Sequence, residues 1–368
     1  MIKNRGKIAF FLVISILAVV QVVSARRSKK VYKLDAIQIF GTQKVTEAQI
    51  HEKFDTAIRI WFEARSRGTK KDRAVAARLR KKLLADVKKF GGFAWINLTE
   101  VELSSKRSVY KFLLMFDVIE KKDMATRFPF RAAPTASIVD GSKLIEKWNR
   151  YSELGWRRVR SGEVSAERGD CPAFFCAEGV GSGHAEISSL ESKMESGVPR
   201  SEKLLAQILR EEKDPKRRAA ALYLLSFLDD GPSVANYAAD GLFDSDTKVR
   251  EAATAIFSDI AVYHKNVPIP IHKVVRLLNS PYPEDRGRAL ALMLSLADNA
   301  DYESFLITTV AQDILKLLRV RNEANHDMAH TVMTILSGED FSDKDYDAWD
   351  NWLWKTRKER AAKAQKED

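Results

Sequence analysis

Between Tyr32 and Gly41 apolar and polar side chains alternate, which predicts a strand with one face buried. Thr46 follows as a helix cap, with Gln49 three residues on to complete a capping box, and Ile50 and Phe54 share one face of the helix that starts there. From Lys70 to Lys89 the apolar residues Val75, Leu79, Leu83 and Val87 recur at every fourth position, predicting a second, amphipathic helix with its basic residues turned outward. Gly91 and Gly92 end it. Phe93 to Leu103 and Tyr110 to Ile119 read as two further strands, joined by a turn from Ser104 to Ser108.

Helical periodicity returns after Gly141, where Leu144, Ile145, Trp148 and Tyr151 mark a packing face. From residue 201 to 340 the chain repeats itself. Four apolar pairs (Ile208-Leu209, Leu242-Phe243, Leu277-Leu278 and Leu317-Leu318) each close one helix before the next opens. In the first two units the opening carries Asp214 and Arg218, then Asp246 and Arg250, four residues apart. The Asp caps the free amides of the new helix, and the Arg one turn later is placed to pair with that Asp or with its equivalent in the neighbouring unit. Ala221, Ala253, Ala289 and Ala329 fall where helices must approach closely, and in the last unit Asn322 and His326 replace the Asp and Arg. A Trp-rich segment from Asp345 to Trp354 reads as a cap over the final repeat, and the charged tail beyond Lys355 reads as a frayed helix or disorder.

Composition adds a setting. The first 25 residues have a basic start (Lys3, Arg5, Lys7), an apolar run from Ile8 to Val23 and a small-residue site at Val23-Ser24-Ala25, the three parts of a secretory signal. An uncleaved anchor is the alternative. Removing those residues takes the formal charge from +11 to +8, so the mature chain stays basic. Most of the excess lies between Arg59 and Lys89, where Arg78, Lys81, Lys82 and Lys88 form a candidate patch for an anionic surface such as lipid or lipopolysaccharide. The other reading of that patch is a solvated helix face.

Cys171 and Cys176, in a chain bound for an oxidising compartment, favour a small local disulfide over a reactive thiol pair. With His184 they fall one ligand short of a structural zinc site, so no metal is expected. Phe174 and Phe175 between them are candidates to plug the open end of the helical stack. The glycines at 179, 181 and 183 suggest a phosphate loop, but no strong strand precedes them and no Lys-Ser/Thr follows. No Ser-His-Asp motif, HExxH or Walker loop is present, so neither an enzyme nor a cofactor is expected.

Two resemblances organise these features. The strand-helix-helix-strand-strand order over 32–123, opened by Ile37-x-Ile39-x-Gly41 and closed by Phe116 to Glu120, resembles a POTRA domain. Membership implies β-augmentation and docking of other polypeptides near bacterial outer membranes, hence a periplasmic setting. The Asp-x-x-x-Arg-x-x-Ala pattern over 201–340 resembles the short, lyase-associated bacterial HEAT repeats, which implies an α-solenoid with a concave binding face and brings no catalytic residue. The expected architecture is therefore multidomain, α+β followed by all-α: a signal peptide over 1–25, the β-α-α-β-β domain over 32–123, a linker and disulfide-containing irregular segment over 124–200 with Arg127 to Pro134 as spacer, the repeats over 201–340, and the cap and tail over 341–368. The expected partners are polypeptides of the cell envelope and an anionic membrane surface; nucleic acid is not expected.

Overall fold

The computed structural model describes residues 30–106, 108–165, 169–181 and 183–367, so the N-terminal signal or anchor lies outside the described residues. The first part runs β1 (Val31–Phe40), α1 (Glu47–Arg67), α2 (Lys70–Gly91), β2 (Trp95–Lys106) and β3 (Val109–Ile119). Thr46 caps α1 through a reciprocal bond with Gln49, and Gly92, in the left-handed conformation, stops α2. The sheet order is β1-β3-β2, with β1 parallel and β2 antiparallel to the central strand.

β3 explains how the rest is attached. Phe112 to Phe116 is an unbroken apolar run, and such a strand must be covered on both faces. Phe112, Leu114, Phe116 and Val118 pack with Ile50, Ile58, Trp61, Leu83 and Val87 of α1 and α2. Leu113 and Met115, on the opposite face, pack with Val320 of the C-terminal half. The sheet is thus the middle of three layers.

A short turn of helix, α3 (Met124–Arg127), leads out of the sheet. The segment after it is no spacer. Arg127 is buried, Phe128 and Phe130 cluster with Trp95 and Tyr282 at ring separations of 5.0 to 6.5 Å, and Arg131 binds the carbonyls of Asp240 and Phe243. Aromatic rings and a long cation cover apolar surface that a flexible linker would leave wet, so the segment straps sheet to helices.

The helical part is α4 (Leu144–Ser161), α5 (Ala185–Glu211), α6 (Pro215–Leu225), α7 (Gly231–Gly241), α8 (Thr247–Tyr263), α9 (Ile271–Val274) with a 3₁₀ continuation to Asn279, α10 (Pro283–Leu296), α11 (Ala300–Phe305), α12 (Ala311–Leu318), α13 (Glu323–Ser337) and α14 (Tyr346–Glu367). A π stretch, Leu306–Val310, joins α11 to α12. Helices α6, α8, α10 and α13 lie side by side in chain order, while α5, α7, the 3₁₀ segment and α12 pair with them from a second row. The four apolar pairs close the second-row helices and are buried except for the half-buried Phe243; the four alanines are wholly buried where first-row helices meet.

The helical layer begins earlier than position 201. α5 runs unbroken through residue 200 with Pro199 inside it, and α4 packs on α5 and α6, so helix occupies much of the stretch expected to be irregular. At the other end Trp349 is fully buried against Phe341 and His330, and its indole N–H donates to the Ser342 carbonyl at 3.0 Å. The charged tail is helical rather than frayed. Arg357 donates to the Ile307 carbonyl and Arg360 pairs with Glu303, which hold α14 against the π segment and α11. Among the described residues no helix is long and apolar enough to cross a membrane.

Candidate functional site

The repeat motif builds a ladder of buried ion pairs. Asp214 and Asp246 each accept from the backbone N–H two residues on, capping α6 and α8. Neither is the partner of the motif arginines. Arg218 makes a two-point pair with Asp244 at 2.7 and 2.8 Å, and its third nitrogen, Nη1, donates to the carbonyls of Glu212 and Lys213. Arg250 repeats the arrangement, with Asp285 at 2.8 Å and the carbonyls of Asp244 and Ser245, and lies over the rings of Phe130 and Tyr282. Each rung takes its carboxylate from the next unit, and Asp244 also accepts the Asp246 N–H, which ties the Arg218 rung to the turn before α8.

The third rung leaves the repeats. Arg286, wholly buried, finds Asp117 of β3 at 2.8 Å and the Ser280 carbonyl at 2.8 Å. The sheet therefore supplies the carboxylate that the next repeat supplies elsewhere. Burial pushes the Asp117 carboxyl up to about 6 against the pull of Arg286, and burial together with the charge of Arg286 brings Arg127 down to about 10. In the last unit His326 takes the arginine's place, contacting the Leu318 carbonyl and Asp343. The signal for the third rung was an aspartate inside an apolar strand, Phe-Asp-Val-Ile, since a carboxylate there requires a buried cation.

The second candidate is α2. Lys70, Lys71, Arg73, Arg78, Lys81, Lys82, Lys88 and Lys89 are exposed along about 28 Å of the helix, away from the buried Leu83 and Val87. Lys82 pairs with Asp86 at 2.5 Å. Other cations of the sequence cluster are committed elsewhere: Arg59 to Asp55, Arg65 to Glu100, Arg67 to Asp72, and Arg80 to Asn97 and the Leu98 carbonyl. The outward face can meet an extended anionic surface.

The third feature is a cleft of about 410 Å³ on the first-row face, between α4, α6 and α8. Trp148, Trp156 and Tyr223 supply aromatic walls, and Glu178 and Glu251 bring carboxylates to the same cleft. Phe175 stacks on Tyr223 with ring centres 4.7 Å apart, and Trp148 stacks on it at 4.9 Å. Phe175 is held there by its loop: Cys171 and Cys176 stand at disulfide distance with Cα atoms 5.8 Å apart, and the Phe174 N–H donates to the Ser226 carbonyl. Phe174 packs by His264 and Gly231. The loop thus lies along the flank of the stack and builds a cleft wall, where the sequence suggested a plug at the open end. Among the described residues no three of His, Cys, Asp and Glu gather in a way that could hold a metal ion.

No known protein family, curated protein or solved structure matches this chain.

Proposed function

We propose that this protein is a non-enzymatic scaffold of the cell envelope that holds polypeptide partners, the sheet domain acting as a POTRA-like module and the helical rows as a HEAT-like binding face. The observation that carries this reading is the aromatic, carboxylate-edged cleft on the first-row face, which suits an extended chain bearing apolar and polar side chains in turn. The sheet adds support, since β1 and β2 each pair on one side only among the described residues and so present edges for strand addition. A periplasmic setting is supported by the signal-like N-terminus and by the cysteine pair at disulfide distance.

The test is a photo-crosslinking side chain at Trp156 in the whole chain, compared with the same group at Lys81, in high-salt envelope extract. Discrete protein adducts at position 156 alone support the reading. Equal adducts at both positions, or none, would overturn it. A second reading, attachment to an anionic lipid surface, is favoured by the eight exposed cations of α2. Its mark is co-sedimentation with anionic vesicles that falls steeply with salt and is lost in a Lys81→Glu/Lys82→Glu variant whose stability is within about 0.5 kcal/mol of the parent.

A further inference from the structure

Helices α4 and α8 flank the cleft with matched stripes. Trp148, Ser152 and Trp156 lie one turn apart along α4, and Glu251, Ala255 and Asp259 lie one turn apart along α8. One stripe ends in aromatic rings and the other in carboxylates. Their middle members, Ser152 and Ala255, are small and leave the space between open. Tyr223 of α6 lines that space, and the cysteine loop adds Glu178.

Several of these groups lack a protein partner. Trp156 is 41% exposed and stacks on no other ring among the described residues. Glu178 is exposed and forms no ion pair among them. Glu251 shares one oxygen with Arg288 at 2.9 Å, and that arginine is also drawn toward Asp285 at 3.6 Å. The Tyr223 ring is fixed between Phe175 and Trp148, yet its hydroxyl has no hydrogen-bond partner among the described residues and opens on the cleft. Burial and the charges of Glu251 and Glu178 push that hydroxyl above the ordinary phenol range, against the pull of Arg288, so it stays a neutral donor and acceptor. An apolar occupant would strip water from the carboxylates and replace nothing. A cation with several N–H donors satisfies carboxylate and hydroxyl together.

We infer that the cleft takes an arginine side chain of the bound polypeptide, its guanidinium set against the Trp156 indole and its N–H groups turned to Glu178, Glu251 and the Tyr223 hydroxyl. Arginine suits the site better than lysine, because a planar fork of donors can lie on an indole while serving more than one acceptor, whereas an ammonium is a point charge. This rests on the scaffold reading for the source of the arginine and makes that reading specific: the partner presents a basic side chain between its apolar ones.

The test titrates the full chain calorimetrically, at neutral pH and constant ionic strength, with a blocked peptide of alternating serine and leucine carrying one central arginine. The same peptide with lysine, with citrulline, which keeps the shape and loses the charge, or with glutamate is run beside it. The expected result is one saturable site for the arginine peptide, weaker binding of lysine, and about tenfold or weaker binding of citrulline and glutamate. Glu178→Gln and Trp156→Leu, both at exposed positions and both melting as the parent does, bring the arginine peptide down to the citrulline level. Equal affinity for arginine and citrulline overturns the inference and leaves the scaffold reading intact, and equal affinity for arginine and lysine overturns the guanidinium assignment. No saturable binding into the tens of millimolar, or arginine binding unchanged in both variants, also overturns it. Arginine-selective binding with no envelope protein crosslinked at position 156 retains the inference and removes the scaffold reading.

Discussion

Replacing Asp117 with Ala should be among the most damaging single changes in the protein. Arg286 is fully buried, and Arg127 lies close enough to be depressed by its charge. Without Asp117 the Arg286 guanidinium loses its paired carboxylate, and an uncompensated buried charge costs about 3–5 kcal/mol. Against a total stability of about 5–15 kcal/mol that is a third or more of the whole. Removing both charges is a different matter. In Asp117→Leu/Arg286→Met the apolar replacements sit against Met115 and Phe40, which Arg286 already touches, so the double variant should fall within about 1 kcal/mol of the parent or exceed it. The assay is urea unfolding followed by tryptophan fluorescence and far-ultraviolet circular dichroism. Asp117→Ala should lower the midpoint and separate the two signals, because the loss falls on the joint between sheet and helices. If the single variant costs less than about 1 kcal/mol, or the double costs the sum of the two singles, the third rung does not hold the layers together.

The same carboxylate sets a pH dependence. Its folded value of about 6 exceeds the ordinary 3.8, so the stability it contributes is fully present below the ordinary value and is lost as pH rises through about 6. The stability difference between parent and Asp117→Asn, measured by urea unfolding from pH 3.5 to 7, should change in that direction. A flat difference would contradict the burial argument. Opening the cysteine loop with Cys171→Ser should cost about 2 kcal/mol from the freed five-residue separation, and should loosen Phe175 from Tyr223, seen as altered near-ultraviolet dichroism. Trp349→Ala removes a fully buried indole and its bond to Ser342, a loss of about 3–5 kcal/mol measurable by thermal unfolding.

How far these features could be read from residues alone depended on the range of the interaction behind them. The capping box at Thr46, the glycine stop at Gly92, the apolar pairs and the buried alanines are local or periodic, and each is where its pattern predicts. The arginine partners were harder. A capping aspartate looks like the natural mate for an arginine one turn on, yet Asp246 accepts from the Lys248 N–H and the arginine's partner is Asp244, two residues before the cap. Long-range contacts were harder still: Arg127 reads as part of a proline-punctuated spacer, and contacts such as its 152-residue reach to Asn279 show otherwise. The cleft could not be anticipated, since Trp148, Phe175, Tyr223 and Glu251 come from four separate stretches of chain.

The strap and the third rung change what binding at two surfaces would mean. Had Arg127 to Pro134 been a free spacer, the basic face of α2 and the cleft between α4, α6 and α8 would be joined by a flexible tether, and the gain from engaging both would follow the tether's length. With Arg127 and Asp117 buried between the layers and Phe130 packed beside Arg250, α2 is fixed to one side of the sheet and the helical rows to the other. A partner or surface that meets both must match a set spacing, and one that does not gains nothing from the second contact. Bivalent engagement would therefore be sensitive to Asp117→Ala even though that residue touches neither surface.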